Sequence, residues 1–246
     1  MKIDAHIHLF SRDIVDNRDS YFCDSAFGLL YGSRKARIAS VQNAVKYAED
    51  NSLDSLWAMG FCWNSGEMCD RENERIVLET VGNQLFTLFS PVSSSPDSDV
   101  KKRIRKAKRD GFRGIGELAF YGHGLDETIE KYCRTVFEAA CEEEMPVCLH
   151  LTEPVGHAYP GKHHTDFAVV YSLIRDFPTL RILLSHMGGG ILFYELMPEV
   201  RDAFSQVWYD TAAVTYLYDA DVYEKSVSIV GSRKIIFGSD YPLLSI

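Results

Sequence analysis

Positive charge is in short supply: 26 Lys and Arg stand against 35 Asp and Glu, a net charge of −9. A protein built mainly to hold nucleic acid would show the reverse balance, so none is expected as a partner, although a local basic pocket for an anionic substrate stays open. Long apolar runs are missing too. No segment approaches the ~20 residues of a membrane span. The first residues lack the basic stretch and apolar run of a signal peptide. The six cysteines, Cys23, Cys62, Cys69, Cys133, Cys141 and Cys148, form no CxxC pair, and a chain this long needs no covalent staples. Low-complexity tracts and internal repeats are absent. Together these absences lead us to expect a cytoplasmic protein with reduced thiols and no membrane attachment.

What the chain does hold is apolar residues, 46% of the total, distributed as short runs alternating with longer amphipathic ones. The spacing predicts strands at 3–10, 55–61, 85–89, 112–118, 146–151, 180–186, 207–211 and 234–240. Between them it predicts helices at 37–50, 67–81, 97–110, 126–144, 165–177, 191–204 and 220–230. Eight strands alternating with helices imply α/β architecture and a (β/α)8 TIM barrel spanning residues 1–246 as one domain. An open doubly wound sheet is the alternative, but it would use fewer strands and a Gly-rich first turn, which the sequence lacks. The sequence stops at Ile246, so the eighth helix is missing. Ile235 and Phe237 should then face outward uncovered beside Ile3 and Ile7. This leads to the expectation of a neighbouring subunit, a homo-oligomer, or of further natural residues beyond 246.

In such a barrel the chemistry lies at the C-terminal ends of the strands. Strand one ends Asp4-Ala5-His6-Ile7-His8, and a period of two turns Asp4, His6 and His8 to one side. Paired imidazoles on one strand make a metal clamp. Strand four ends with Glu117, strand five with His150, strand six with His186 and strand eight with Asp240. A carboxylate following an apolar run needs a metal or a cation if it is buried. Gly238 would let the backbone approach closely there.

The set resembles the amidohydrolase superfamily, in particular its amidohydrolase-2-type barrels, over essentially the whole chain. The resemblance rests on the order His-x-His, His, His, Asp on strands one, five, six and eight, and on the strand-six segment Leu184-Ser185-His186-Met187-Gly188-Gly189-Gly190. It implies a divalent metal, zinc first and manganese second. It implies His6, His8, His150 and Asp240 as ligands, with His186 as ligand or acid/base. No Lys ends strand four. Glu117 stands there, as in TatD-type nucleases, and could bridge two ions. The favoured activity is hydrolysis of an amide, lactone or ester-like bond of a small carboxylated molecule by metal-activated water, with Asp240 as general base and His186 steadying the oxyanion. The alternatives are a metal-dependent decarboxylase of a small unsaturated or aromatic acid, TatD-like phosphodiester hydrolysis, and a non-catalytic binding barrel.

Two loops are candidates for specificity. Residues 11–34 are long for a βα loop and resemble a lid, with Arg12, Arg18, Tyr21, Phe22 and Arg34. Residues 153–164 carry His157, Lys162, His163 and His164, which could grip a carboxylate, as could His123 beyond strand four. The run Gly188–Gly190 before a helix is a weak anion-site signal.

Overall fold

The computed structural model describes residues 1–244. The chain alternates as expected. β1 (Ile3–His8) is followed by α1 (Arg12–Asp16), α2 (Ser25–Tyr31) and α3 (Val41–Asn51). β2 (Ser55–Met59) leads to α4 (Gly66–Thr80), β3 (Phe86–Ser90) to α5 (Val100–Arg109), and β4 (Gly114–Leu118) to α6 (Glu127–Glu142). β5 (Val147–Leu149) and α7 (Phe167–Asp176) precede β6 (Ile182–Leu184) and α8 (Pro198–Ala203). β7 (Val207–Asp210), α9 (Val214–Leu217), α10 (Asp221–Val230) and β8 (Ile235–Ile236) complete the series. Among the described residues no helix follows β8.

The helices form where the pattern allows one apolar stripe. In α5 the buried residues are Val100, Ile104 and Ala107, while Lys and Arg fill the rest of the helix and its last turn, where the helix dipole favours them. α3 begins with a capping box between Ser40 and Asn43, and Asp126 and Asp166 cap α6 and α7.

The eight strands pair in parallel in the order β1 to β8. The barrel closes beyond the short β8 ladder: Ala5 N–H donates to Phe237 O at 2.9 Å, Asp240 N–H to His6 O at 3.0 Å and His8 N–H to Tyr241 O at 2.7 Å. Met59, Phe89, Cys148 and Leu183 fill the interior, with Trp57, Trp208 and Ile236 packed against them. A larger core lies between strands and helices.

Strand eight has the expected parity. Ile236 joins the interior, Ile235 packs on the outer core, and Phe237 is 45% exposed. The segment after β6 departs from expectation. Residues 191–204 were expected to form one helix, but only 198–203 are α-helical. Before them Met187, Gly188, Gly189 and Gly190 all take left-handed φ, from 53° to 92°, inside a 3-10 stretch. Such a run cannot continue into an α-helix, and Pro198 then starts the short α8. A Cβ on Gly189 would lie 2.7 Å from the carbonyl carbon of Thr152, so the glycine permits a close crossing rather than opening a helix toward an anion.

Residues 11–34 fold into α1, a 3-10 turn and α2. Phe27 and Tyr31 of this segment form a separate core with Phe10, Phe61 and Trp63. Arg18 and Arg12 of this segment are engaged elsewhere, Arg18 donating to the carbonyls of Tyr31, Ser33 and Ala36 and Arg12 pairing with Asp16, and Arg34 is exposed. Lys162 likewise donates to the Val155 and His157 carbonyls, and His123 is exposed.

Candidate active site

The six strand-end residues singled out by sequence converge on one mouth of the barrel, all buried. Two glycines make that possible. Gly116, at φ +144°, would place a Cβ 2.7 Å from Cys148 Cβ, so only glycine lets β4 lie against β5 as it delivers Glu117. Gly238 would place one 2.6 Å from His6 Cβ. The close approach expected at Gly238 is present.

His6 Nδ1 lies 2.8 Å from Asp210 Oδ2. A carboxylate only accepts, so Nδ1 carries a hydrogen and Nε2 is the nitrogen that faces the mouth. There it meets His8 Nε2 at 3.2 Å, and His8 Nε2 lies 3.4 Å from Asp240 Oδ1. His186 Nδ1 donates to Ala212 O at 2.8 Å, leaving Nε2 facing His150 Nδ1 at 3.2 Å and Glu117 Oε1 at 3.5 Å. His150 Nδ1 is 3.0 Å from Glu117 Oε1. The donors thus fall into two adjacent groups, His6–His8–Asp240 and Glu117–His150–His186. His150, expected beside His6 and His8, belongs to the second. Glu117 spans the two, with its oxygens 3.8 Å from His6 Nε2 and 3.7 Å from His8 Nε2.

The electrostatics fit a bound cation. Burial opposes a charge on His6, yet Asp210 and Glu117 outweigh it and hold its pKa well above the ordinary value. Burial alone would raise Glu117, but His150 and His6 beside it hold it well below the carboxylate range. Asp240 is likewise opposed by burial and held at about 2 by His8. The site therefore attracts positive charge while its carboxylates stay ionised. Ligands at 2.0–2.1 Å around a tetrahedral ion sit about 3.3–3.4 Å apart. The His6–His8 and His8–Asp240 separations of 3.2 and 3.4 Å match that edge. The residues present fit a divalent ion.

Two neighbours were not singled out by sequence, and a third was placed by it on the wrong face. Asp210, at the end of β7, orients His6 and also accepts the His186 backbone N–H at 2.9 Å. Its signal is an acid closing an apolar run, the same one that marks Glu117 and Asp240. Cys148 forms a further group with His6 and Glu117, but burial pushes its thiol up to about 11, so it remains protonated under the floor. Asp4, expected on the same side of β1 as the two histidines, is not: a β-bulge between Asp4 and Ile7 breaks the period of two, Asp4 pairs with the outward Leu56, and its carboxylate accepts from Tyr47 Oη of α3 and from the backbone of His6 and Ser239. Of the loop candidates, His163 alone reaches the centre, its ring 5.2 Å from that of His150. Burial and His150 push its pKa down to about 4, so it is neutral and does not grip a carboxylate.

Above the donors lies a cavity of about 310 Å³. Tyr31, Phe61, Tyr121, Tyr159 and Tyr216 supply aromatic walls, and Leu29, Leu30, Leu217, Leu243 and Leu244 supply aliphatic ones. Among the described residues no Lys, Arg, Asn or Gln lines it.

A (β/α)8 barrel with clustered imidazoles and carboxylates at its C-terminal mouth defines a class of barrel enzymes. The amidohydrolase family model (Amidohydro_2) matches residues 3–245, and the chain belongs to that family, whose members are generally metal-dependent enzymes. A 2-keto-4-carboxy-3-hexenedioate hydratase from a Sphingobium strain is 21% identical over 184 residues, 64% of this chain and 53% of the relative. The chain thus spans about half the length of the curated relative it matches. Among solved structures, 5-carboxyvanillate decarboxylase from Sphingomonas paucimobilis superposes with a TM-score of 0.77 at 14% identity, over 100% of this chain and 90% of that one. Dihydroorotase from Campylobacter jejuni gives 0.52 at 17% identity, over 97% and 69%. These structural likenesses share the fold.

Proposed function

We propose that the chain is a metal-dependent lyase that decarboxylates a small, flat, unsaturated or aromatic carboxylic acid. The observation that carries this reading is the cavity: aromatic and aliphatic walls over a floor that, among the described residues, holds its only charged groups. Hydrolysis, favoured from sequence, develops a localised oxyanion, for which the walls offer tyrosine hydroxyls but, among the described residues, no Lys, Arg, Asn or Gln. Decarboxylation instead disperses a carboxylate's charge into the carbon frame, which an apolar cavity favours. Two relatives, a carboxyvanillate decarboxylase and a carboxy-hexenedioate hydratase, have unsaturated or aromatic carboxylates in their names, which supports the substrate class.

His6, His8 and Asp240 would hold the ion, with Glu117 and His150 beside it. Zinc is the first candidate and manganese the second. Bound there, a divalent ion supplies a fixed positive charge that draws the substrate carboxylate to the floor and stabilises charge developing nearby. The bond from ring or chain carbon to carboxyl breaks, its electron pair stays on the carbon, carbon dioxide leaves and the carbon takes a proton. His186 would pass that proton: Nδ1 is tied to Ala212 O, which leaves Nε2 as the exchanging atom, and the residue lines the cavity. The walls exclude water and hold the frame flat against the floor.

Hydrolysis remains the second reading, because Glu117 spans two donor groups and could bridge two ions around one hydroxide, with Asp240 as base. One experiment separates the two. The metal-loaded protein is incubated in ¹⁸O-water with 5-carboxyvanillate, 2-hydroxybenzoate and dihydroorotate. Carbon dioxide release from a carboxylated phenol, without ¹⁸O in the organic product, is expected. Ring-opening of dihydroorotate with ¹⁸O in the product, and no carbon dioxide from the phenols, would hand the site to hydrolysis.

A further inference from the structure

The opposite, N-terminal end of the barrel holds a second cavity of about 400 Å³ that the reaction does not use. It is lined by Trp57 of β2, Phe89 of β3, Trp208 of β7 and Ile236 of β8, with Arg113 and Arg181 at the starts of β4 and β6. The buried interior residues Met59, Phe89, Cys148 and Leu183 stand between it and the catalytic floor. Side chains normally plug the lower end of such a barrel. Here Trp57 and Trp208 are only partly buried, and the indole of Trp57 stacks on Phe89 with centroids 5.7 Å apart.

The two arginines set this cavity apart from a packing defect. Most basic side chains on α5 and α6 are paired with carboxylates, among them Arg103 with Asp97 and Asp70, Arg105 with Glu142, and Arg134 with Glu130. Among the described residues, neither Arg113 nor Arg181 pairs with a carboxylate; Arg181 donates to the backbone carbonyl of Glu144 at 3.2 Å. In a chain with a net charge of −9, two guanidiniums left without acids beside partly buried indoles form a place of opposite charge. Indoles offer flat apolar area, and guanidiniums offer planar paired donors for a carboxylate.

We propose that this lower cavity is a binding site for a small aromatic carboxylate, separate from the catalytic mouth. The ring lies against Trp57 and Trp208, and the carboxylate meets Arg113 and Arg181. The site does not depend on how the catalytic reaction is read.

The test uses tryptophan fluorescence. The chain has three tryptophans, and Trp63 sits in the lid core rather than here. In Trp63→Phe, only Trp57 and Trp208 report. Benzoate added to the metal-loaded Trp63→Phe protein should change the emission saturably, with Kd of about 1 mM or tighter. Benzamide, a neutral analogue of similar shape, should bind at least about tenfold more weakly, since the ionic hydrogen bonds are lost. Adding Arg113→Gln and Arg181→Gln should weaken benzoate about tenfold or more while circular dichroism and the melting temperature stay within those of the parent. If that double variant melts early, Arg113→Lys with Arg181→Lys replaces it and should retain part of the binding. No saturable change with benzoate, equal binding of benzamide, or undiminished binding in the folded double Gln variant would each overturn the proposal.

Discussion

At the scale of single residues, the candidate site depends on which nitrogen of each histidine faces inward. Asp210 decides this for His6 through the 2.8 Å contact at Nδ1. In Asp210→Asn the amide can present its N–H₂ as readily as its oxygen, so the ring loses its fixed tautomer and metal affinity should fall about 10–100-fold. Competition with a chelator of known affinity measures this, and unchanged affinity would contradict the role. Asp240 is held ionised near pKa 2. Asp240→Asn replaces a charged ligand with a neutral one and should keep the fold yet weaken metal binding by a factor of about 10 or more and lower turnover with it; wild-type metal affinity and turnover would remove Asp240 from the ligand set. Sequence made these positions visible where a polar residue closes an apolar run, because burying such a group demands a partner. The division of donors into two groups was not visible, since it depends on side-chain rotation at the strand ends and not on the order of residues along them. Nor could spacing tell that Asp4 would be taken up by Tyr47 while its neighbours stayed free.

At the scale of elements, the lid segment is tied to α4 through one buried carboxylate. Glu72 accepts the Ser11 N–H and the Ser11 hydroxyl, the latter at 2.8 Å, and burial pushes its pKa from 4.5 up to about 7. The protonated form is the one the fold favours. This contribution is fully present below about pH 4.5 and is lost as pH rises through about 7, at a cost on the order of 3 kcal/mol. Glu72→Gln keeps an acceptor for Ser11 but no longer titrates. The wild-type melting temperature should therefore fall relative to Glu72→Gln between pH 5 and 8; parallel curves would refute the latch. β4 offers a second test. Gly116→Ala puts a methyl group against Cys148 at a φ of +144° and should cost about 2–4 kcal/mol in urea unfolding; a cost below about 0.5 kcal/mol would show that β4 can shift without consequence. Strands and amphipathic helices such as α5 and α6 were legible because their periodicity is set by burial. The segment after β6 was not, because an apolar run from Ile191 resembles a helix until the preceding four residues are known to be left-handed.

At the scale of the whole molecule, the barrel carries two unlike ends. The C-terminal mouth gathers histidines and carboxylates under an aromatic cavity, and the N-terminal end opens between tryptophans and arginines. The number of strands and their order follow from the alternation of runs, which is why the fold could be read before any coordinate. The cavity walls come from residues far apart in sequence, Leu29 to Leu244, so their shared apolar character emerges only on folding. Everything proposed for the mouth depends on a divalent ion held there. An ion bound only by the folded chain stabilises it by about 2.7 kcal/mol at 100 times its Kd, so chelation should also lower the melting temperature. The most direct test is elemental analysis of carefully prepared protein, alongside His6→Ala. The wild type should carry one or two zinc or manganese ions per chain and lose activity on chelation, while His6→Ala, still folded, should carry less than about a tenth as much. Wild-type protein without stoichiometric metal, whose activity no added metal raises and no chelator lowers, would contradict the account.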